Sequence, residues 1–288
     1  QTGLQAKAES VNNAVDFHTP AMLVELFAGG AALFFLRPQP AKVEVLNDIN
    51  GQLVNLYRVV QHHFDKFIRQ FEWILTSREV FAQLQSTPPD YMTGIQRAAQ
   101  FFYLQHNAFG GKTVQQHFGT ATTSKAWDTS QVKAKLTAAK IRLNGVFVEI
   151  EPLERCFKRY TSTPSSTPPS VLANRRLRPQ LRLDTVRVTA KSMVESKGKV
   201  MLSINDHPGI RELFKGFRTT RLELAYSVSR DKTQKKTAVS WSSATDKIKS
   251  DRSVAFVKSE RELQIVQQIS KVFFSKKVGI YRARLQQI

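Results

Sequence analysis

Met22-Leu23-Val24-Glu25-Leu26-Phe27-Ala28-Gly29-Gly30-Ala31-Ala32-Leu33-Phe34-Phe35 is the stretch whose reading decides the fold. The apolar run that ends at Phe27 reads as a strand. Ala28-Gly29-Gly30 breaks it, and Ala31 to Phe35 resumes with residues that suit a helix. Strand, glycine turn and helix form the layout in which backbone approaches a ligand closely beside a helix N-terminus. An ordinary tight turn between two elements would look the same, so the next element has to decide.

Working outward, Lys42-Val43-Glu44-Val45-Leu46-Asn47 alternates like a second strand and ends at Asp48, nineteen positions after Gly29. A carboxylate at the end of a second strand, about 20 residues past a glycine turn, suits a ribose because it accepts from both hydroxyls. The competing reading makes Asp48 the cap of a helix over Gln52 to Val60. The joint spacing of turn and acid favours the ribose.

Residues 52–107 read as helical, with a break at Thr87-Pro88-Pro89. Ile95 to Leu104 is amphipathic to buried. Its Phe101, Phe102 and Tyr103 could stack on bases, but consecutive aromatics on a helix more often belong to a core. Ala108-Phe109-Gly110-Gly111-Lys112 opens a polar loop that runs to Lys125, suited equally to phosphate contacts or to solvent. Val132 to Leu143 reads as a helix, Val146 to Ile150 as a strand, and Pro152 to Tyr160 as a short helix. Strands separated by helices imply an α/β sheet with a helical insertion.

The 288 residues suffice for one large domain or a domain with an insertion, and 41% of them are hydrophobic, enough for a sizeable core. No apolar run approaches the ~20 residues of a membrane span, and the N-terminus lacks the layout of a signal peptide. Cys156 is the single cysteine, so no intrachain disulfide framework is possible and a reducing cytoplasm is expected. His62, His63, His106 and His117 have no metal-ligand spacing with Cys156. The net charge of +20 points to a polyanionic partner. It is unevenly spread: residues 1–160 hold 17 Lys and Arg against 13 Asp and Glu, whereas residues 161–288 hold 26 against 10.

Glu25-Leu26-Phe27-Ala28-Gly29-Gly30-Ala31-Ala32-Leu33-Phe34-Phe35 resembles the S-adenosylmethionine (SAM) motif of Dam-type, D12-class DNA adenine-N6 methyltransferases, especially those of Mu-like phages and prophages. Leu46-Asn47-Asp48-Ile49-Asn50, the helix Leu53 to Arg58, Arg97 to Leu104, Ala108 to Lys112 and the late strand Gly198 to Pro208 are similar to the same family, in the same order. The resemblance covers roughly residues 21–160 and 193–240. It implies a Rossmann-like α/β sheet with an inserted helical DNA-recognition region, SAM as cofactor and double-stranded DNA as substrate. It also implies a monomer with no membrane association. Phe27, Ala28, Gly29 and Gly30 would cradle the methionine part of SAM and Asp48 would hold the ribose. Glu149 and Glu151 both lie near the place of the acid that meets the cofactor's adenine. Such an enzyme flips the target adenine out of the duplex into an Asp-Pro-Pro-Tyr motif.

That motif should follow Tyr160 within about fifteen residues. The chain offers Thr167-Pro168-Pro169-Ser170, in which Pro168 and Pro169 are a remnant without the Asp or the Tyr. Val171 to Val188 reads as a basic linker. The stretch fits translation out of frame. Val171 to Pro179 can be encoded so that the frame one base later gives Tyr-Trp-Gln-Thr-Glu-Gly-Tyr-Gly, as in Mu-like relatives after Pro-Pro. Comparable alternative-frame matches exist at Thr2 to Lys7, Leu183 to Thr189 and Val239 to Asp246, each where a family motif is missing or a natural end is expected. The expected organisation is therefore residues 1–60 as the first part of a SAM-binding domain and residues 61–140 as the helical target-recognition insertion. Residues 141–240 form the remainder, with 161–192 aberrant, and 241–288 a non-native tail. A degenerate prophage copy without activity, or a basic DNA-binding protein, is the alternative to an active enzyme.

Overall fold

The computed structural model describes residues 21–31, 34–35, 37, 39–108, 116–119, 129–161, 170–174, 183–196, 200–205, 208–225 and 235–242. The chain divides into two compact units. One comprises residues 1–28, 37–49 and 151–264, the other residues 29–36, 50–150 and 265–288.

The first unit is a sheet with helices. Its strands β1 (Met22–Glu25) and β2 (Val43–Asn47) are buried on both faces, as central parallel strands are. β1 pairs in parallel with β2, Met22 opposite Val43 and Glu25 opposite Leu46. On its other side β1 pairs in parallel with β4 (Ser170–Asn174), Leu23 opposite Ser170 and Glu25 opposite Leu172. β4 is parallel to β5 (Val200–Asn205), and β5 is antiparallel to β7 (Lys235–Ser242), which carries β6 (Arg218–Ala225) on its far side. Within this unit the order is β2-β1-β4-β5-β7-β6.

Three helices of this unit are α6 (Leu153–Thr161), α7 (Leu183–Glu195) and α8 (Pro208–Leu213). Leu153, Cys156 and Phe157 recur at helical spacing and are buried, as are Val186, Ala190 and Met193 of α7. They share one core with Val24, Val45, Leu202 and Phe214. Cys156 is fully buried and acts as a small apolar side chain.

Val171 to Val188 is not a linker throughout. Ser170–Asn174 forms β4, and its Val171-Leu172-Ala173 is a short apolar run of the length a strand can have. Val186 opens a helical repeat completed by Ala190 and Met193, beyond the end of the stretch read as irregular.

The second unit is mainly helical: α1 (Gly51–His62), α2 (Phe64–Arg69), α3 (Arg78–Ser86), α4 (Gly94–Asn107) and α5 (Thr129–Leu143), with strand β3 (Phe147–Glu149). Thr93 and Gln96 form a capping box at the start of α4. The break at Thr87-Pro88-Pro89 is closed by buried Gln100, which donates to the carbonyls of Leu84 at 2.6 Å and Thr87 at 2.7 Å. Phe67, Phe71 and Phe102 pack edge to face with centroids 5.1 to 5.9 Å apart, so Phe102 is a core residue. Gln61 caps the end of α5 by donating to the carbonyls of Leu143 and Val146. Arg58 donates to the carbonyl of Val148 in β3. Among the described residues no helix is long and apolar enough to cross a membrane.

Candidate cofactor site

The glycine stretch leaves β1 as a turn, not as a continuation of the strand. The strand ends at Glu25, and Leu26 to Ala31 turn away from it. Gly29 has φ +51° and Ala31 has φ +47°. Glycine adopts the left-handed region at little cost, which is why the turn needs one at position 29. Among the described residues, leaving aside its two chain neighbours, no atom lies within 4 Å of a Cβ built on Gly29, so the space over this turn is open on that side. The Phe35 N–H donates to the Ala31 carbonyl at 2.9 Å, which closes a helical turn directly after the glycines.

The start of the turn is fixed by β2. The Ala28 N–H donates to the Asn47 carbonyl at 2.9 Å. The Asn47 side chain, 2% exposed, donates to the carbonyls of Leu26 and Glu151, each at 3.1 Å, and accepts from the Glu151 N–H at 2.9 Å. One buried amide thus satisfies backbone groups of the segment after β1 and of the segment entering α6, and does so from the residue next to Asp48. Sequence reading passed over Asn47. Its signal was a polar residue ending an otherwise apolar strand, and such a residue is buried only when its hydrogen bonds are met.

Asp48 follows β2 and is half-buried. It does not cap the following helix. Asn50 does, its Oδ1 accepting from Gln52 N at 3.1 Å and Leu53 N at 3.4 Å. The competing reading of Asp48 as a helix cap is therefore removed. Of the two acids near β3, Glu151 is engaged by Arg159 at 3.0 Å and Arg155 at 3.4 Å. Glu149 lies on β3 itself.

From Gly29 on, the turn belongs to the helical unit and is held within it. Tyr57 of α1, 1% exposed, donates its hydroxyl to the Gly29 carbonyl. Arg142 of α5 places its guanidinium 3.6 Å from the centre of the Phe34 ring and donates to the Phe34 carbonyl at 3.1 Å. Nothing in the sequence pattern marks Arg142, which is separated from Phe34 by 108 positions.

Pro168 and Pro169 lie outside the described residues. Their place in the chain is directly before Ser170, the first residue of β4. Because β4 is parallel to β1, residues before Ser170 enter at the amino end of β4, whereas the glycine turn leaves the carboxyl end of β1. The residues that leave the carboxyl end of β4 are Arg175-Arg176-Leu177 after Asn174. Residues 109–115 and 120–125 of the loop to Lys125, His207 and the segments 1–20 and 243–288 also lie outside the described residues.

Comparison with known proteins agrees with the resemblance read from the motifs. Residues 10–144 match the family model of the D12 class N6 adenine-specific DNA methyltransferases. The chain is also 36% identical over 98 residues to the Type II methyltransferase M1.LlaDCHI of Lactococcus lactis subsp. cremoris, covering 30% of this chain and 32% of the relative. The chain thus spans about a third of the length of that curated relative.

Proposed function

We propose that this chain descends from a SAM-dependent DNA adenine-N6 methyltransferase, keeps the cofactor half of the site, and has lost the methyl-accepting half. The observation that carries the reading is the left-handed glycine turn after β1, whose first residues, Leu26 and Ala28, are hydrogen-bonded to Asn47, the residue beside Asp48. In this reading Phe27, Ala28, Gly29 and Gly30 cradle the methionine part of SAM, and Asp48 accepts from the ribose hydroxyls. The strand order reverses between β1 and β4, and ligands of open α/β sheets sit at the carboxyl ends of strands at such a point. This supports a Rossmann-like sheet and the turn as its ligand site. SAM would supply a methyl group made electrophilic by its sulfonium, for transfer to N6 of an adenine in double-stranded DNA. The chain's residues would bind and orient that cofactor. The helical segment 61–140 would contact the DNA, with the chain acting as a monomer.

Transfer needs an acceptor for the amino protons and an aromatic face for the flipped base. A stacked base gains ~1–3 kcal/mol from such a face. Ser170, which stands where the family has its Tyr, opens β4 instead of following it, and no aromatic occurs among Asn174-Arg175-Arg176-Leu177. This supports a frameshifted segment in place of the catalytic motif. The gene's codons test that origin directly. Codons over Pro168 to Pro179 that cannot yield Pro-Pro-Tyr-Trp one base later would contradict it.

Asp48→Ala tests the cofactor assignment. A carboxylate that accepts from ribose hydroxyls contributes about 1.5–3 kcal/mol, so the variant should bind SAM roughly 10- to 100-fold more weakly by calorimetry. Unchanged affinity would remove Asp48 from the site.

A further inference from the structure

We infer that Tyr57 and Arg142 are positioning residues that hold the glycine turn in its cofactor-accepting shape; the inference rests on the SAM reading above. Ala31 sits at φ +47°, where the Cβ of an L-residue crowds the backbone. A non-glycine residue persists there only when its surroundings over-determine the conformation, and such strain tends to cluster at ligand sites. The two surrounding contacts bracket Ala31. On one side Tyr57, buried in α1, donates its hydroxyl to the Gly29 carbonyl. On the other, the Arg142 guanidinium covers the Phe34 ring at 3.6 Å and donates to the carbonyl of the same residue. A ring contact and a backbone hydrogen bond on one residue fix both its side chain and its peptide. The peptide whose carbonyl accepts from Arg142 carries the Phe35 N–H, which donates to the Ala31 carbonyl, so the constraint reaches the strained residue through one hydrogen bond.

Neither side chain has to touch the cofactor for this role. Tyr57 and Arg142 would act through the backbone of residues 29–34. Their removal should then weaken recognition of the methionine part of SAM, which this turn cradles, and spare recognition of the adenosine part. Lysine cannot replace Arg142, because an ammonium cannot both lie flat on a ring and donate from a planar fork.

The test uses the full chain and two ligands, SAM and 5′-methylthioadenosine, which keeps the adenosine and thioether but lacks the amino-acid portion. Calorimetric titrations are run on the wild type, Tyr57→Phe and Arg142→Lys, with a thermal melt of each unliganded protein. Each variant should lose on the order of tenfold in SAM affinity, the scale of one hydrogen bond, and stay within about twofold for methylthioadenosine. Equal affinity of wild type and variants for SAM overturns the inference. So does a parallel loss for both ligands, which marks general destabilisation. A wild type that binds neither ligand fails the SAM reading itself, and the inference with it. The two variants act on opposite sides of Ala31, so a melt showing one of them unfolded leaves the other to decide.

Discussion

Gly29 and Ala31 occupy the same backbone region for different reasons, and substitution separates them. At Gly29 a methyl would meet no atom of the described residues beyond its chain neighbours within 4 Å, so Gly29→Ala carries the left-handed penalty of about 1 kcal/mol. The same methyl would project into the space assigned to the cofactor. Gly29→Ala should therefore lower unfolding stability by about 1 kcal/mol in a denaturant melt, while SAM affinity falls more than tenfold in calorimetry. A stability loss with unchanged SAM binding would place the cofactor elsewhere. The turn at Gly29 and the place of Asp48 directly after β2 were legible from the sequence because spacing alone relates them. Asn47, Tyr57 and Arg142 were not. Their partners are backbone carbonyls, at separations of 21, 28 and 108 positions, and a carbonyl leaves no mark in the sequence.

The elements of the first 160 residues follow from periodicity and caps. Alternation gives β2, the Asn50 cap and an apolar face give α1, and the Thr93 capping box gives α4. The linker reading of Val171 to Val188 hid β4 and part of α7, because five residues with three apolar ones in a row, Val171-Leu172-Ala173, offer no alternation to detect. Within the helical unit, Tyr103 of α4 joins α4 to the segment before α3, donating to the Leu75 carbonyl at 2.7 Å and accepting from Ser77 N at 3.4 Å. Burial pushes its hydroxyl above the ordinary value of 10.0, with the Ser77 hydrogen bond opposing. The folded state therefore holds this proton more tightly than the unfolded chain does. The associated stability is complete below pH 10 and is lost as pH rises through the raised folded value. Alkaline melts of the wild type should fall off above about pH 10 more steeply than those of Tyr103→Phe, which has no proton to lose. Identical slopes would mean the hydroxyl does not titrate in this coupling.

At the scale of the molecule, family likeness and chemistry separate along the chain. The family match spans residues 10–144, which include the glycine turn and Asp48. The excess of basic residues lies after residue 160, as does Thr167-Pro168-Pro169-Ser170, where the proposed loss of the methyl-accepting motif falls. The direction of β4 sharpens that loss. A motif that acts beside the glycine turn has to leave the carboxyl end of β4, and Pro168 and Pro169 precede its amino end. The absent Asp and Tyr are legible in the sequence; the direction of β4, which puts Ser170 at its amino end, is not. The central claim is a site that holds the methyl donor and does not pass the methyl group on. Its most direct test incubates the full chain with SAM tritiated in the methyl group and adenine-containing duplex DNA, then partitions the tritium between protein and DNA. A retained cofactor site without a methyl-accepting half should leave tritium held reversibly by the protein at one equivalent and none above a protein-free blank in the DNA. Tritium recovered in adenine of the DNA, or none retained by the protein, would contradict it.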